Sequence, residues 1–411
     1  MDNPLIAAIP VDFILFGVVL IGVALFHRFA LLIASSGLIT LLTYNFLVTG
    51  FKHGPGMAGL LAHAAHEWVI LTNLFCLLVG FALLADHFEH SHVPECIPGL
   101  LPRGWQGAFL LLILVFVLSG FLDNIAGAII GGTLALSIYE RRVHIGYVAA
   151  IVAASNAGGA GSVIGDTTTT MMWIAGISPM VVLPAYIAAT VALLVFGIPA
   201  AMQQHRFSDM KAITGGYCGV DGVRLFIVLF VLIAAIITNV TVNLFYPTWA
   251  DHFPFLGASV IIALMLTTPL RQPNWSIIPV TTKGSLFLLA LVSCASLMPV
   301  DQLPAPSWIS TFALGFASAI FDNIPLTALA IKQGGYDWAL LAYAVGFGGS
   351  MIWFGSSSGV AMTNIIPEAR STGAWMKHGW HIPIGYVTGY LIMLLLMGWH
   401  PLPIPGNGAV P

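Results

Sequence analysis

Apolar residues run in long blocks broken by short polar stretches, and the blocks are too long for any soluble helix or strand. They fall at about 11–26, 29–50, 67–85, 105–138, 143–200, 223–245, 254–270, 284–300, 307–331, 336–366 and 382–399. A bilayer core of roughly 30 Å needs about 20 apolar helical residues. Several blocks exceed one crossing and must fold back or break. The pattern predicts an all-α polytopic membrane protein with about 10–12 transmembrane segments. The polar stretches at 51–65, 86–104, 139–143, 201–222, 271–283 and 367–381 are read as its loops.

Composition agrees. Of 411 residues, 58% are hydrophobic and 7% charged, against about 25% charged in soluble domains. The chain needs a lipid bilayer as its solvent. A net charge of −3, with 13 Lys and Arg spread thinly over the loops, supplies no nucleic-acid footprint and no strong orientation signal. The start, MDNPLIAAIP, lacks a basic n-region, so the first block reads as a retained span. Trp105, Trp249, Trp275 and Trp308 flank apolar blocks as an interfacial belt does.

Two motifs occur twice, in the same order. FLDNIA (121–126) is answered by IFDNIP (320–325), which places Asp123-Asn124 and Asp322-Asn323 late in apolar blocks. GGAGSVIGDTT begins at 158 and GGSMIWFGSSS at 348. Aligned without gaps, Gly158, Gly159 and Gly165 match Gly348, Gly349 and Gly355, and Asp166-Thr167-Thr168 falls on Ser356-Ser357-Ser358. The repeats divide the chain into N-terminal helices (1–65), repeat 1 (66–200), a linker with connecting helices (201–283) and repeat 2 (284–400).

An acid in the hydrocarbon region costs roughly 2.5–3.5 kcal/mol. Asp123, Asp166 and Asp322 together would cost on the order of 8–10 kcal/mol if unpaired. No Lys or Arg inside a block accompanies them, so a mobile cation or proton is the expected partner, with Na⁺ held at these three aspartates. Glycine-rich backbone such as 155–162 makes poor helix, and non-helical backbone within a membrane is tolerated only where protein or a cavity surrounds it. Asp166 or Thr167 is placed to cap a helix over TTTTMMWIAG. Breaks at corresponding places in two halves point to a transporter's midplane site. Gly127-x-x-x-Gly131 reads as a packing face.

These residues resemble the ion transporter superfamily, which includes arsenite permeases, citrate transporters and NhaD-type sodium/proton antiporters. The NhaD type is the most similar in its Asp-Asn pairs, in Asn156 ahead of the glycines, in Gly165-Asp166-Thr167-Thr168-Thr169, in Ser318 four residues before Asp322, and in Ser356, Ser357 and Ser358. The resemblance covers roughly 65–200 and 284–400. It implies inverted-topology repeats with re-entrant hairpins, a homodimer, an elevator-like movement and a place in a bacterial inner (plasma) membrane. The expected ion or substrate site comprises Asp123, Asn124, Asn156, Gly165, Asp166, Thr168, Thr169, Ser318, Asp322, Asn323, Ser356, Ser357 and Ser358.

The function expected is Na⁺/H⁺ antiport, with Na⁺-coupled uptake of a citrate-like carboxylate as the alternative. An intramembrane enzyme lacks a nucleophile beside a base. No cofactor is expected beyond Na⁺ as the coupling or transported ion. A histidine-rich stretch holding His87, Glu89, His90, His92 and Cys96, near His63 and His66, could bind Zn²⁺ or sense pH, although its spacing fits no metal motif.

Overall fold

The computed structural model describes residues 5–6, 9–26, 29–52, 54–93, 101–162, 165–210, 219–246, 249 and 252–403. Apart from a two-stranded ribbon, Leu5–Ile6 with Ile9–Pro10, and two isolated bridges, its regular structure is helical. Among the described residues five helical stretches are long and apolar enough to cross a membrane, Ala30–Thr49, Gly56–Glu89, Pro179–Phe207, Gly222–Val242 and Trp275–Ser296, and the bent pair Thr372–His378 with His381–Met397 would make a sixth. Other apolar segments form shorter helices, among them Trp105–Ser119, Asn124–Ile138, Ile145–Gly159, Trp308–Ser318 and Trp338–Met351. The chain is a polytopic membrane protein.

Helix Gly56–Glu89 corrects two boundaries, since it begins inside the stretch 51–65 and runs to Glu89, inside 86–104. The polar stretch 51–65 is not a loop throughout, because helix begins at Gly56 and carries His63 and His66. Its residues are mostly good helix formers, and polarity on one side of a turn does not interrupt backbone bonding. Thirty-four residues rise about 51 Å, so the helix outreaches the hydrocarbon core.

The chain divides into two compact units. The first comprises Met1–Leu83, Phe226–Ala305 and Ile324–Gln333. Small residues let its helices touch: a Cβ on Gly37 would lie 2.3 Å from Val19 Cγ2, and one on Gly80 would lie 2.4 Å from Val260 Cγ1. Buried Asp12 accepts from Asn45 Nδ2 at 2.9 Å, and Lys332 Nζ donates to the carbonyl of Ser296. Helix Gly222–Phe245 turns Phe226, Leu229, Ile233, Ile236, Ile237 and Val240 outward, an apolar stripe suited to lipid.

The second unit comprises Leu84–Leu225, Pro306–Asn323 and Gly334–Pro411. Its core holds two helices, Ile145–Gly159 and Trp338–Gly348, each buried almost end to end. Both are buried around their whole circumference and mostly apolar, as a helix enclosed by others should be. Helix Trp105–Ser119 packs on the first of them and Trp308–Ser318 on the second. Helix Asn124–Ile138 approaches its neighbours through Gly127, beside Ser155 and Ser119, and Gly131, beside Val115 and Ile151. The expected packing face is there.

Candidate functional site

The motif residues gather inside the second unit. After Trp105–Ser119 the chain leaves helix and re-enters it at Asn124, with Asp123 in the N-cap position. After Ile145–Gly159 it re-enters at Thr167, with Asp166 as N-cap. After Trp338–Gly348 and a short 3₁₀ turn it re-enters at Ser357, with Ser356 as N-cap.

Close backbone approaches at these turns recur in matched pairs. A Cβ on Gly158 would meet the Phe116 carbonyl oxygen at 2.0 Å, and one on Gly348 would meet that of Gly315 at 2.2 Å. Gly159 and Gly349 face the carbonyls of Gly165 and Gly355, both at 2.5 Å, while Gly165 and Gly355 face those of Ser119 and Ala319. Any side chain at these positions would collide with backbone, so only glycine fits.

The caps differ in what their side chains do. Ser356 caps its helix, accepting from Gly359 N at 3.3 Å. Asp166 makes no capping bond. Its carboxylate, fully buried, turns instead to two amides: Asn124 Nδ2 donates to Oδ1 at 3.0 Å and Asn323 Nδ2 at 3.2 Å. Thr167 Oγ1 adds a longer bond of 3.4 Å. The other oxygen, Oδ2, is buried without a well-formed hydrogen bond, and the Thr168 amide and hydroxyl lie within reach of the carboxylate. Among the described residues Asp166 has no Lys, Arg or His ion-pair partner.

Asn156 is the hub. Its Oδ1 accepts from Asn124 Nδ2 at 3.2 Å and Ser358 Oγ at 2.6 Å, and its Nδ2 donates to Ser350 Oγ at 2.9 Å and Ser356 Oγ at 3.1 Å. One hydrogen-bonded chain therefore joins Asn323, Asp166, Asn124, Asn156 and Ser350, Ser356 and Ser358 of the second motif. Asp322 accepts from Ser357 Oγ at 3.2 Å. Asp123 and Asp322 are both half-buried and within electrostatic range of Asp166.

Two expected site hydroxyls are directed to the backbone. Thr169 Oγ1 donates to the carbonyls of Ser162 and Asp166 at 2.5 and 2.8 Å, and Ser318 Oγ to that of Val345 at 2.7 Å. Ser350 was not foreseen. Neither was Ser119, although it stands four residues before Asp123 as Ser318 stands four before Asp322; it lies 3.2 Å from Ser155 Oγ.

The histidine-rich stretch shows another arrangement. His87 is buried, with Nδ1 3.1 Å from Arg224 Nη1, and His90 pairs with Asp86. Among the described residues no three of His, Cys, Asp and Glu converge to hold a metal; Cys96 lies outside them.

No protein-family model matches the chain. Sequence relatives do. Sodium/proton antiporter 1 of Arabidopsis thaliana is 28% identical over 69% of this chain and 52% of its own length. The NhaD Na⁺/H⁺ antiporter of Halomonas elongata is 22% identical over 69% and 66%, and that of Vibrio cholerae 22% identical over 79% and 78%. The chain is related to the NhaD-type sodium/proton antiporters. It spans about half the length of the Arabidopsis protein. Those relatives are named as sodium/proton antiporters, and the apolar helices of this chain make it an integral membrane protein.

Proposed function

We propose that this chain exchanges Na⁺ for H⁺ across a lipid bilayer at the carboxylate of Asp166, with Asp123 and Asp322 beside it. One observation carries the reading. The buried carboxylate of Asp166 is held at one oxygen by two amide donors, lies within electrostatic range of Asp123 and Asp322, and has no Lys, Arg or His ion-pair partner among the described residues. Amide donors stabilise the anion without neutralising it. A buried charge left so is costly, and a mobile cation or a proton removes that cost. Thr168 Oγ1 and the motif carbonyls offer the neutral oxygens that a hard cation takes. Asp123 and Asp322 add negative potential that draws cations inward.

Antiport follows from competition. A proton on the carboxylate removes the charge that attracts Na⁺, and bound Na⁺ disfavours protonation. We read 66–200 and 284–400 as inverted repeats whose helices are broken at the glycine motifs, with Thr167–Ile174 and Ser357–Ile365 as the far arms of re-entrant hairpins. The matched glycine approaches support that reading. A homodimer moving in an elevator-like way is part of the same proposal, resting on the family relationship.

Everted vesicles carrying a preformed pH gradient test it. NaCl should dissipate the gradient, and the Na⁺ concentration giving half the effect should rise as pH falls. Dissipation only in the presence of citrate, or accumulation of labelled citrate with Na⁺, would instead identify a carboxylate symporter.

A further inference from the structure

The offset of 190 residues that sets Gly158 against Gly348 and Asp166 against Ser356 also sets Asn156 against Gly346 and Ala160 against Ser350. Around Asn156 the matched set is polar, its amide reaching Ser350 Oγ at 2.9 Å and Ser356 Oγ at 3.1 Å. Around Gly346 the counterparts of those two serines stand in the same relation with different chemistry. A Cβ on Gly346 would lie 2.7 Å from Asp166 Oδ2 and 4.0 Å from Ala160 Cβ. The two breaks exchange volume: an amide and a hydroxyl fill one, a bare glycine and a carboxylate fill the other.

The carboxylate has little room to recoil from a side chain at 346. Its Oδ1 is tied to Asn124 and Asn323, and a Cβ on Gly159 would lie only 2.9 Å from Asp166 Cβ. Helix Trp338–Gly348 is buried along its length and cannot back away. A small residue at a helix contact usually serves packing alone. Here the atom it faces is an ionisable oxygen of the buried Asp166 carboxylate.

We infer that Gly346 is the positioning residue of the ion site. It sets where Asp166 Oδ2 stands and confines the charged half of the site to the first break. The inference rests on the proposed role of Asp166.

Two measurements on the full chain test it. In proteoliposomes at fixed pH, Gly346→Ala should raise the Na⁺ concentration for half-maximal exchange about tenfold, with the maximal rate within about twofold. A half-saturation within about twofold of wild type overturns the inference. The second measurement does not depend on transport. Gly346→Asn, which copies Asn156, should lower the melting temperature, and adding Asp166→Ser, which copies Ser356, should restore it to that of Asp166→Ser alone. Additive losses, or a double variant that does not fold, overturn the inference. Coupled melting in a chain that shows no Na⁺/H⁺ exchange would uphold the packing relation and sink the antiport reading instead.

Discussion

Replacing Asn156 by Ala tests how much the buried network contributes. The amide uses its full capacity of two donors and two accepting lone pairs, in bonds of 3.2, 2.6, 2.9 and 3.1 Å to Asn124, Ser358, Ser350 and Ser356. Interhelical hydrogen bonds in membrane proteins average about 0.6 kcal/mol, so four give about 2.4 kcal/mol. Ser350, Ser356 and Ser358 are buried, and stranding their hydroxyls adds to the loss, because an unsatisfied buried group costs about 1 kcal/mol or more. The expected destabilisation is about 2–4 kcal/mol, or a melting midpoint lower by about 5–10 °C for a unit of this size. Thermal unfolding of the purified protein in detergent reads it directly. The Na⁺ response should weaken in parallel, since Asn156 holds the Asn124 amide that orients Asp166. A midpoint within about 2 °C of wild type would refute the argument.

Further outcomes can be checked. Asp166→Asn keeps an oxygen for the Asn124 and Asn323 amides but loses the charge, so the protein should fold while Na⁺-dependent dissipation of a pH gradient disappears; retained dissipation would move the ion site elsewhere. His144, outside the apolar helices, caps Ile145–Gly159 with Nδ1 accepting from Gly146 N at 3.2 Å, a bond that only the unprotonated nitrogen makes. Burial, and then nearby His378, hold its pKa below the ordinary 6.5. The unfolded chain binds that proton more readily, so the stabilisation is present above about pH 6.5 and is lost as pH falls below it. His144→Ser, which keeps a capping oxygen without a titrating ring, should flatten the fall in melting temperature between about pH 6.5 and 5, as a melting series would show.

Much was legible along the chain because it was local. Apolar block length fixes the membrane class, since lipid demands internal satisfaction of every backbone group. The ends of helices at Asp123 and Asp166 follow from glycine and capping residues within a few positions. Even so, Asp166 holds the N-cap position without using its side chain to cap, because two distant amides compete for it. Helix beginning at Gly56 was hidden because Lys52, His53, Gly54, Pro55 and His63 make 51–65 read as polar punctuation, whereas backbone bonding after Pro55 disregards it.

What tertiary structure alone decided is which oxygens and amides meet. Asn323 reaches Asp166 across 157 residues and Ser358 reaches Asn156 across 202, separations at which sequence spacing carries no directional information. Side chains alike on paper were sorted by these contacts: Thr169 and Ser318 face backbone carbonyls, while Asn124 and Asn156 face the network. Gly346 shows the same limit most sharply. Along the chain it is a glycine in an apolar helix, and its meaning lies in the carboxylate oxygen that close packing brings within 2.7 Å of its missing side chain.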